Sequence, residues 1–472
     1  MKKQGFNPYL PSWEYIPDGE PYVFNDRVYV YGSHDRFNGY AYCLNDYVCW
    51  SAPVEDLADW RYEGVILKAT DVQNNEDRDS CLYAPDVAVG PDGRYYLYYV
   101  DSKRSIVSVA VCDTPAGKYE FYGYVHYADG VNLGEKEGDE PQFDPGVLVE
   151  GDKVYLYTGF CARGDKSRSG AMATVLSSID MLTITSAPVI VAPSEPYSKG
   201  SGFEGHEFFE APSIRKWGDT YYLIYSSILM HELCYATSKH PTKGFVYRGT
   251  IVSNCDMGIS TYKPINQPMA YGGNNHGSMV EINSKWYIFY HRHTNGTNFS
   301  RQGCLEEIKF LEDGSIPQVE MTSCAPNQGP LMGLGEYPAY IACNLFCDEE
   351  SVYTDFTGAW MNNQFPKITQ DGKDGDEEIG YITNMKASAT AGFKYFDLKG
   401  VKRVKIRVRG YCKGEFEIKT SWNGPVLGKI PVVFSNVWKD YYADITIPDG
   451  IHPLYITYNG QGSASLASFT LE

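Results

Sequence analysis

At 472 residues, 43% of them hydrophobic and 21% charged, the chain is globular in composition and long enough to predict two domains. Its formal net charge of -18 and pI near 5.0 exclude long-range attraction to phosphate backbones or anionic membranes, so neither nucleic acid nor a membrane is an expected partner. Neutral sugars are indifferent to that charge.

The N-terminal stretch MKKQGFNPYLPSWEY follows two lysines with Gly, Asn and Pro instead of an apolar run, which does not read as a secretory leader. No apolar run of roughly 18 residues comes later, and the expected address is cytoplasmic. The 12 cysteines lie between Cys43 and Cys412 without a CxxC pair, predicting buried reduced thiols and no zinc.

Aromatic residues reach 15%, with 40 Tyr, and alternating runs recur where helical periods are hard to find, which favours strands. Five segments repeat a turn followed by an aromatic strand: NDRVYVYGS from Asn25, PDGRYYLYYV from Pro91, GDKVYLYTG from Gly151, GDTYYLIYS from Gly218 and SKWYIFYHR from Ser284. Aligned on Tyr29, Tyr96, Tyr155, Tyr222 and Tyr287, they are 59 to 67 residues apart, room for a four-stranded sheet each. Five such blades around an axis make an all-β propeller.

Counting 10 to 12 residues back from each aligned tyrosine meets Asp18, Asp86, Asp144, Glu210 and His276. Inner strands line a propeller's axis, so these groups converge at one mouth. Carboxyls that close cannot all ionise at neutral pH; either a proton is held or a cation is bound. Glu210 follows Phe208 and Phe209 and precedes Ala211 and Pro212, apolar surroundings that raise a carboxyl's pKa and suit it to general-acid work.

Across residues 7 to 320 these motifs resemble the five-bladed propellers of glycoside hydrolase family 43. NPYLPSWEYIPDGEPYVF is similar to the family's opening segment, and the resemblance implies Asp18 as general base, with Glu20 as the fallback because the usual Asp-Pro is Asp18-Gly19-Glu20-Pro21 here. FDPGVLVEGDKVYLYTG implies Asp144 as the residue that modulates the acid's pKa, and FFEAPSIRKWGDTYYLIY implies Glu210 as the acid. YAPDV implies a site-shaping Asp86, and NNHGSMVEI implies that His276 contacts an axial calcium ion through water; no organic cofactor is expected. Inversion at a glycosidic carbon needs an acid and a base on opposite faces of the sugar, which carboxyls on non-adjacent blades supply.

His34 and Asp35 in GSHD are candidates to touch substrate, and Arg301 in NFSRQG is a candidate to bond sugar hydroxyls or pair with a site carboxylate. Trp13, Phe37, Tyr40 and Trp60 are candidates to stack on a sugar. The propeller is expected over residues 1 to 330. From 335 to 472, shorter alternating runs such as KRVKIRVRGYC and HPLYITY predict a jelly-roll-like β-sandwich. It resembles carbohydrate-binding module family 6, which implies sugar contacts from Tyr381 and Trp438.

The expected function is an inverting, exo-acting α-L-arabinofuranosidase on arabinoxylan-derived oligosaccharides. The alternatives are a β-xylosidase and, from another class, a non-catalytic glycan-binding propeller. Nothing in the chain speaks to oligomeric state.

Overall fold

The computed structural model describes residues 3–73, 75–348 and 365–472. Among the described residues there is no α-helix; strands and a few 3-10 turns make up the regular structure, and no helix is long and apolar enough to cross a membrane. The first blade is an antiparallel meander of Glu20–Phe24, Arg27–Tyr31, Tyr47–Pro53 and Arg61–Leu67. The second runs from Asp86–Val89 to Glu120–Tyr124, the third from Gly146–Glu150 to Ile184–Pro193, and the fourth from Phe208–Trp217 to Val246–Ser253.

The inner hairpins form where the turn residues tolerate a left-handed backbone. Asn283 and Ser284, at φ 50° and 62°, join Ile282 to Lys285 as a two-residue turn whose twist matches the strands. The fifth blade departs from the expected four strands: its sheet has three, Met279–Ile282, Lys285–His293 and Arg301–Ile308. The N-terminal segment lies along its outer edge, with the Tyr9 N–H donating to Gly303 O at 3.2 Å and the Asn7 side chain bonding Leu305 O at 2.8 Å. Start and end of the propeller are thereby stitched together, and a parallel bridge between Gly19 and Gly277 joins blades one and five near the axis.

Strand alternation turns each blade's two faces to its two neighbours, and a separate apolar cluster fills each of the five interfaces. In blade two, Tyr96 and Tyr98 pack toward blade three while Leu97 and Tyr99 pack toward blade one. The abundant tyrosines bury their rings there and spend their hydroxyls on the neighbouring blade's backbone: Tyr31 donates to Pro115 O at 2.6 Å, Tyr98 to Met181 O at 2.7 Å and Tyr157 to Pro241 O at 2.5 Å.

The second domain is a sandwich of two six-stranded sheets around a single apolar core that includes Phe393, Phe396, Phe416 and Phe469. Its first short strand, Leu331–Met332, pairs in parallel with Phe396–Asp397. The sandwich packs on the propeller through buried charge. Lys394, fully buried, reaches Asp256 and Glu320 of the propeller at 3.2 Å each and lies 3.8 Å from the Tyr262 ring centre. Removing one member of such a buried set typically costs about 3 to 5 kcal/mol, because the others keep their charge without a partner. In return, Arg292 of the fifth blade donates to the carbonyls of Ala342 and Tyr340 at 2.8 and 2.7 Å.

Candidate active site

Three irregular backbone positions aim the acids. Asp18 has φ 59° and Asp144 φ 44°, each just ahead of its inner strand, and the residue after Glu210, Ala211, has φ 64°. The fourth inner strand is bulged on both sides of Glu210, which re-aims its side chain. Left-handed backbone costs an L-residue energy, and such strain gathers at functional sites.

Asp18, Asp144, Glu210, His276 and Arg301 line one cavity of about 390 Å³, together with Asn274, Tyr42 and Cys43. Opposite runs an arc of touching rings, Tyr83, Phe143, Phe160 and Phe209, with successive centroids 5.1, 5.4 and 5.3 Å apart. The five polar residues are nearly fully buried.

Asp18 is held as a carboxylate. Burial pushes its carboxyl up, but Arg301, whose Nη1 donates to Oδ1 at 3.0 Å, outweighs this and holds the group well below the usual carboxylate range. The Ser33 hydroxyl also donates to it. His291 secures the backbone: its Nε2 lies 2.7 Å from Asn274 O, which assigns the proton there, and leaves Nδ1 to accept the Asp18 N–H at 3.3 Å.

Glu210 has the opposite environment. Burial, and then the neighbouring Asp144, push its carboxyl up to about 8, so it holds a proton at neutral pH. Asp144 is likewise raised by burial, with Asp18 adding to the shift and His276 opposing it, and it accepts the Ala211 N–H, which ties it to the residue following the acid. His276 Nδ1 lies 3.7 Å from Asp144 and 3.9 Å from Asp18, and these carboxylates together with Glu20 overcome burial and raise the imidazole to about 9. One acid ionised, one protonated and an imidazolium beside Asp18 and Asp144 can activate a water and protonate a leaving oxygen in the same cavity.

Below this layer the axis is plugged. Arg215 Nη2 donates to Glu20 Oε2 at 2.6 Å and its guanidinium lies 4.4 Å from the centre of the Tyr22 ring, while Tyr22 donates to Asp86 at 2.7 Å. Glu20, the fallback base, is therefore engaged by Arg215 and by Ser213, and it does not line the cavity. Asp86 is corrected from a site-shaping residue to a member of this buried plug, where it also accepts the Val147 N–H at 2.7 Å.

The expected calcium contact runs from His276 through water, so the ion's oxygen donors must come from elsewhere around the axis. Calcium takes six to eight oxygen ligands. Here His276 Nε2 faces Glu20 Oε1 at 3.8 Å, and Arg215 with His276 already supplies positive charge to the axial carboxylates. As direct ligands these residues do not fit the ion.

Two further expectations are corrected. His34 bonds Glu14 at 2.8 Å and Asp46 O at 2.9 Å, away from the cavity. Asp35 is fully buried and grips Arg301, with Oδ2 to Nε at 2.8 Å and Oδ1 to Nη2 at 3.0 Å, so it holds the arginine and does not line the cavity. Arg301 itself lines the cavity and pairs with Asp18, the carboxylate-pairing option.

The proposed stacking residues lie elsewhere. Phe37 stacks on Tyr15, Tyr40 is 82% exposed, and Trp13 and Trp60 border a groove between the domains. Tyr381 and Trp438 border the same groove 5.3 Å apart, but the Arg409 guanidinium lies 4.9 and 4.3 Å from their ring centres and takes a face a sugar would stack on.

A family model described as "Glycosyl hydrolases family 43" matches residues 16–316. A curated "Xylosidase/arabinosidase" of Thermoclostridium stercorarium is 78% identical over 471 residues, covering 100% of this chain and 99% of that one. An "Arabinoxylan arabinofuranohydrolase" of Paenibacillus polymyxa is 24% identical, covering 98% and 72%. Among solved structures, a family 43 β-xylosidase/α-arabinofuranosidase from a compost metagenome, in complex with xylotriose in a calcium-free form, is similar with TM-score 0.53 and 26% identity over 67% of this chain and 98% of that one. A Bacillus subtilis arabinoxylan arabinofuranohydrolase shares the fold over both domains, at TM-score 0.53 and 20% identity, covering 98% of this chain and 97% of that one. With the acids gathered in one cavity and a family match over most of the chain, the protein belongs to glycosyl hydrolase family 43 and is a glycoside hydrolase.

Proposed function

We propose that the enzyme is an inverting, exo-acting α-L-arabinofuranosidase on arabinoxylan-derived oligosaccharides, with Asp18 as general base, Glu210 as general acid and Asp144 as the residue that raises and orients the acid. The observation that carries this reading is the contrast in one cavity between Asp18, paired with Arg301 at 3.0 Å, and Glu210, buried beside Asp144, an environment that raises its carboxyl. Exo action is supported by the size of the cavity, about 390 Å³, which suits a terminal sugar.

Asp18 takes a proton from a water on one face of the terminal sugar as Glu210 protonates the departing oxygen on the other. Asp144, close to Glu210, disfavours the acid's ionised form until the proton is needed. Arg301 neutralises Asp18 without protonating it.

A β-xylosidase is the second reading, favoured by the double name of the 78% identical relative. Release of 4-nitrophenol from aryl α-L-arabinofuranoside and aryl β-D-xylopyranoside separates the two. The higher kcat/KM is expected on the arabinofuranoside; the reverse order makes the enzyme a xylosidase first.

A further inference from the structure

The second domain touches the propeller at the rim of the active-site cavity, on the two loops that hold Arg301. One loop, residues 34 to 45 of blade one, supplies Asp35, which grips the Arg301 guanidinium, and Tyr42, whose ring centre lies 4.8 Å from it. The other, residues 294 to 300 of blade five, leads into Arg301 and sets Phe299 edge-on to Tyr42 at 4.8 Å. Neither loop has strand partners over most of its length.

The sandwich provides the missing support from one short segment. Ile368 O accepts the Asn295 N–H at 2.7 Å, and the Thr369 hydroxyl donates to Asn295 Oδ1 at 2.9 Å. Asn295 in turn donates to Asn38 at 2.8 Å, linking the two loops. Gln370 accepts from Tyr15 at 2.7 Å, beneath Phe37. Asp374 accepts the Phe37 N–H at 2.8 Å and the Asn45 side-chain N–H at 3.0 Å, and Asn45 also donates to the carbonyl of Asp35 at 3.0 Å. From Asp374 to the base the path is therefore Asn45, Asp35, Arg301, Asp18, every step a hydrogen bond.

We propose that residues 367 to 376 of the second domain are a clamp that sets the Asp35–Arg301 pair against Asp18, so that the sandwich is a working part of the catalytic centre whether or not it binds glycan. Asp374 on the clamp and Asn295 on the propeller loop it holds are the positioning residues; neither lines the cavity. The inference rests on the hydrolase reading only for the consequence in turnover. Misplacing a catalytic group by about 1 Å can cost on the order of a hundredfold in rate, and loosening a loop that stays folded should cost about tenfold.

The test uses the full chain carrying Asp374→Ala and Asn295→Ala together. Hydrogen exchange is followed over peptides spanning residues 36–45 and 294–301, with kcat and KM on both aryl glycosides and the melting temperature measured alongside. The expected result is faster exchange in both peptides and a kcat about tenfold lower, with KM and melting temperature nearly unchanged; restoring Asn295 alone recovers the exchange of 294–301. Unchanged exchange in both loops overturns the clamp, whatever turnover does. Faster exchange with parental kcat overturns its catalytic role. Failure of the parent enzyme to cleave either glycoside sinks the arabinofuranosidase and xylosidase readings instead, and the exchange data then decide the clamp alone.

Discussion

Asp18→Ala is expected to lower kcat by about 10⁴-fold on natural oligosaccharides and on 4-nitrophenyl glycosides alike. The attacking water needs a base whatever the leaving group, and the other axial carboxylates are engaged elsewhere: Asp144 accepts the Ala211 N–H beside the acid, while Glu20 is locked on Arg215 and does not line the cavity. The variant should retain its fold, since Arg301 keeps Asp35 as a partner. Steady-state rates on the two substrate classes check this, with circular dichroism confirming structure. A drop confined to the natural substrate would assign Asp18 to the leaving group.

Glu210→Ala should divide the substrates instead. On an oligosaccharide the departing alkoxide needs the proton, and a fall of about 10³-fold is expected; on the 4-nitrophenyl glycoside, whose leaving group departs unaided, the fall should be about tenfold. The same assignment fixes the pH dependence. Only the protonated acid donates, so kcat/KM of the parent should decline as pH rises through about 8, the value to which burial and Asp144 push Glu210. Only the ionised base works, so the acid limb should lie well below the usual carboxylate range, where Arg301 holds Asp18. Glu210→Ala assayed on the activated substrate should lose the alkaline limb and keep the acid one.

The propeller was legible because its signal is redundant: five turn-plus-tyrosine hairpins at near-even spacing, and an ionisable inner-strand residue, four acids and one histidine, 10 to 12 positions before each tyrosine. What the count could not resolve was height along the axis. A strand rises about 3.3 Å per residue, so a difference of one or two positions moves a side chain from the cavity floor into the plug. Asp86, 10 residues before its tyrosine where Asp18 is 11 before Tyr29, falls on the lower side of that line. Glu20, two residues after Asp18, does the same.

Loop residues were less legible still. His34 and Asp35 lie in a segment with no periodicity, and their partners, Glu14 and Arg301, are set by how the chain returns to the axis. Of the ring arc, Phe143 and Phe209 stand beside the recognised acids, but Phe160 carries no local mark and emerges only when blades three and four meet. The missing fourth strand of blade five has its cause at the other end of the chain, in Asn7 and Tyr9.

The account's central claim is that Asp18 delivers water to one face of the sugar while Glu210 releases the oxygen on the opposite face. Proton NMR of the first sugar formed from an aryl glycoside, recorded before mutarotation, tests it most directly. The anomeric signal should appear with configuration opposite to the substrate's; retention would contradict the account, because it requires a carboxylate bonded to the sugar where this reading places a water.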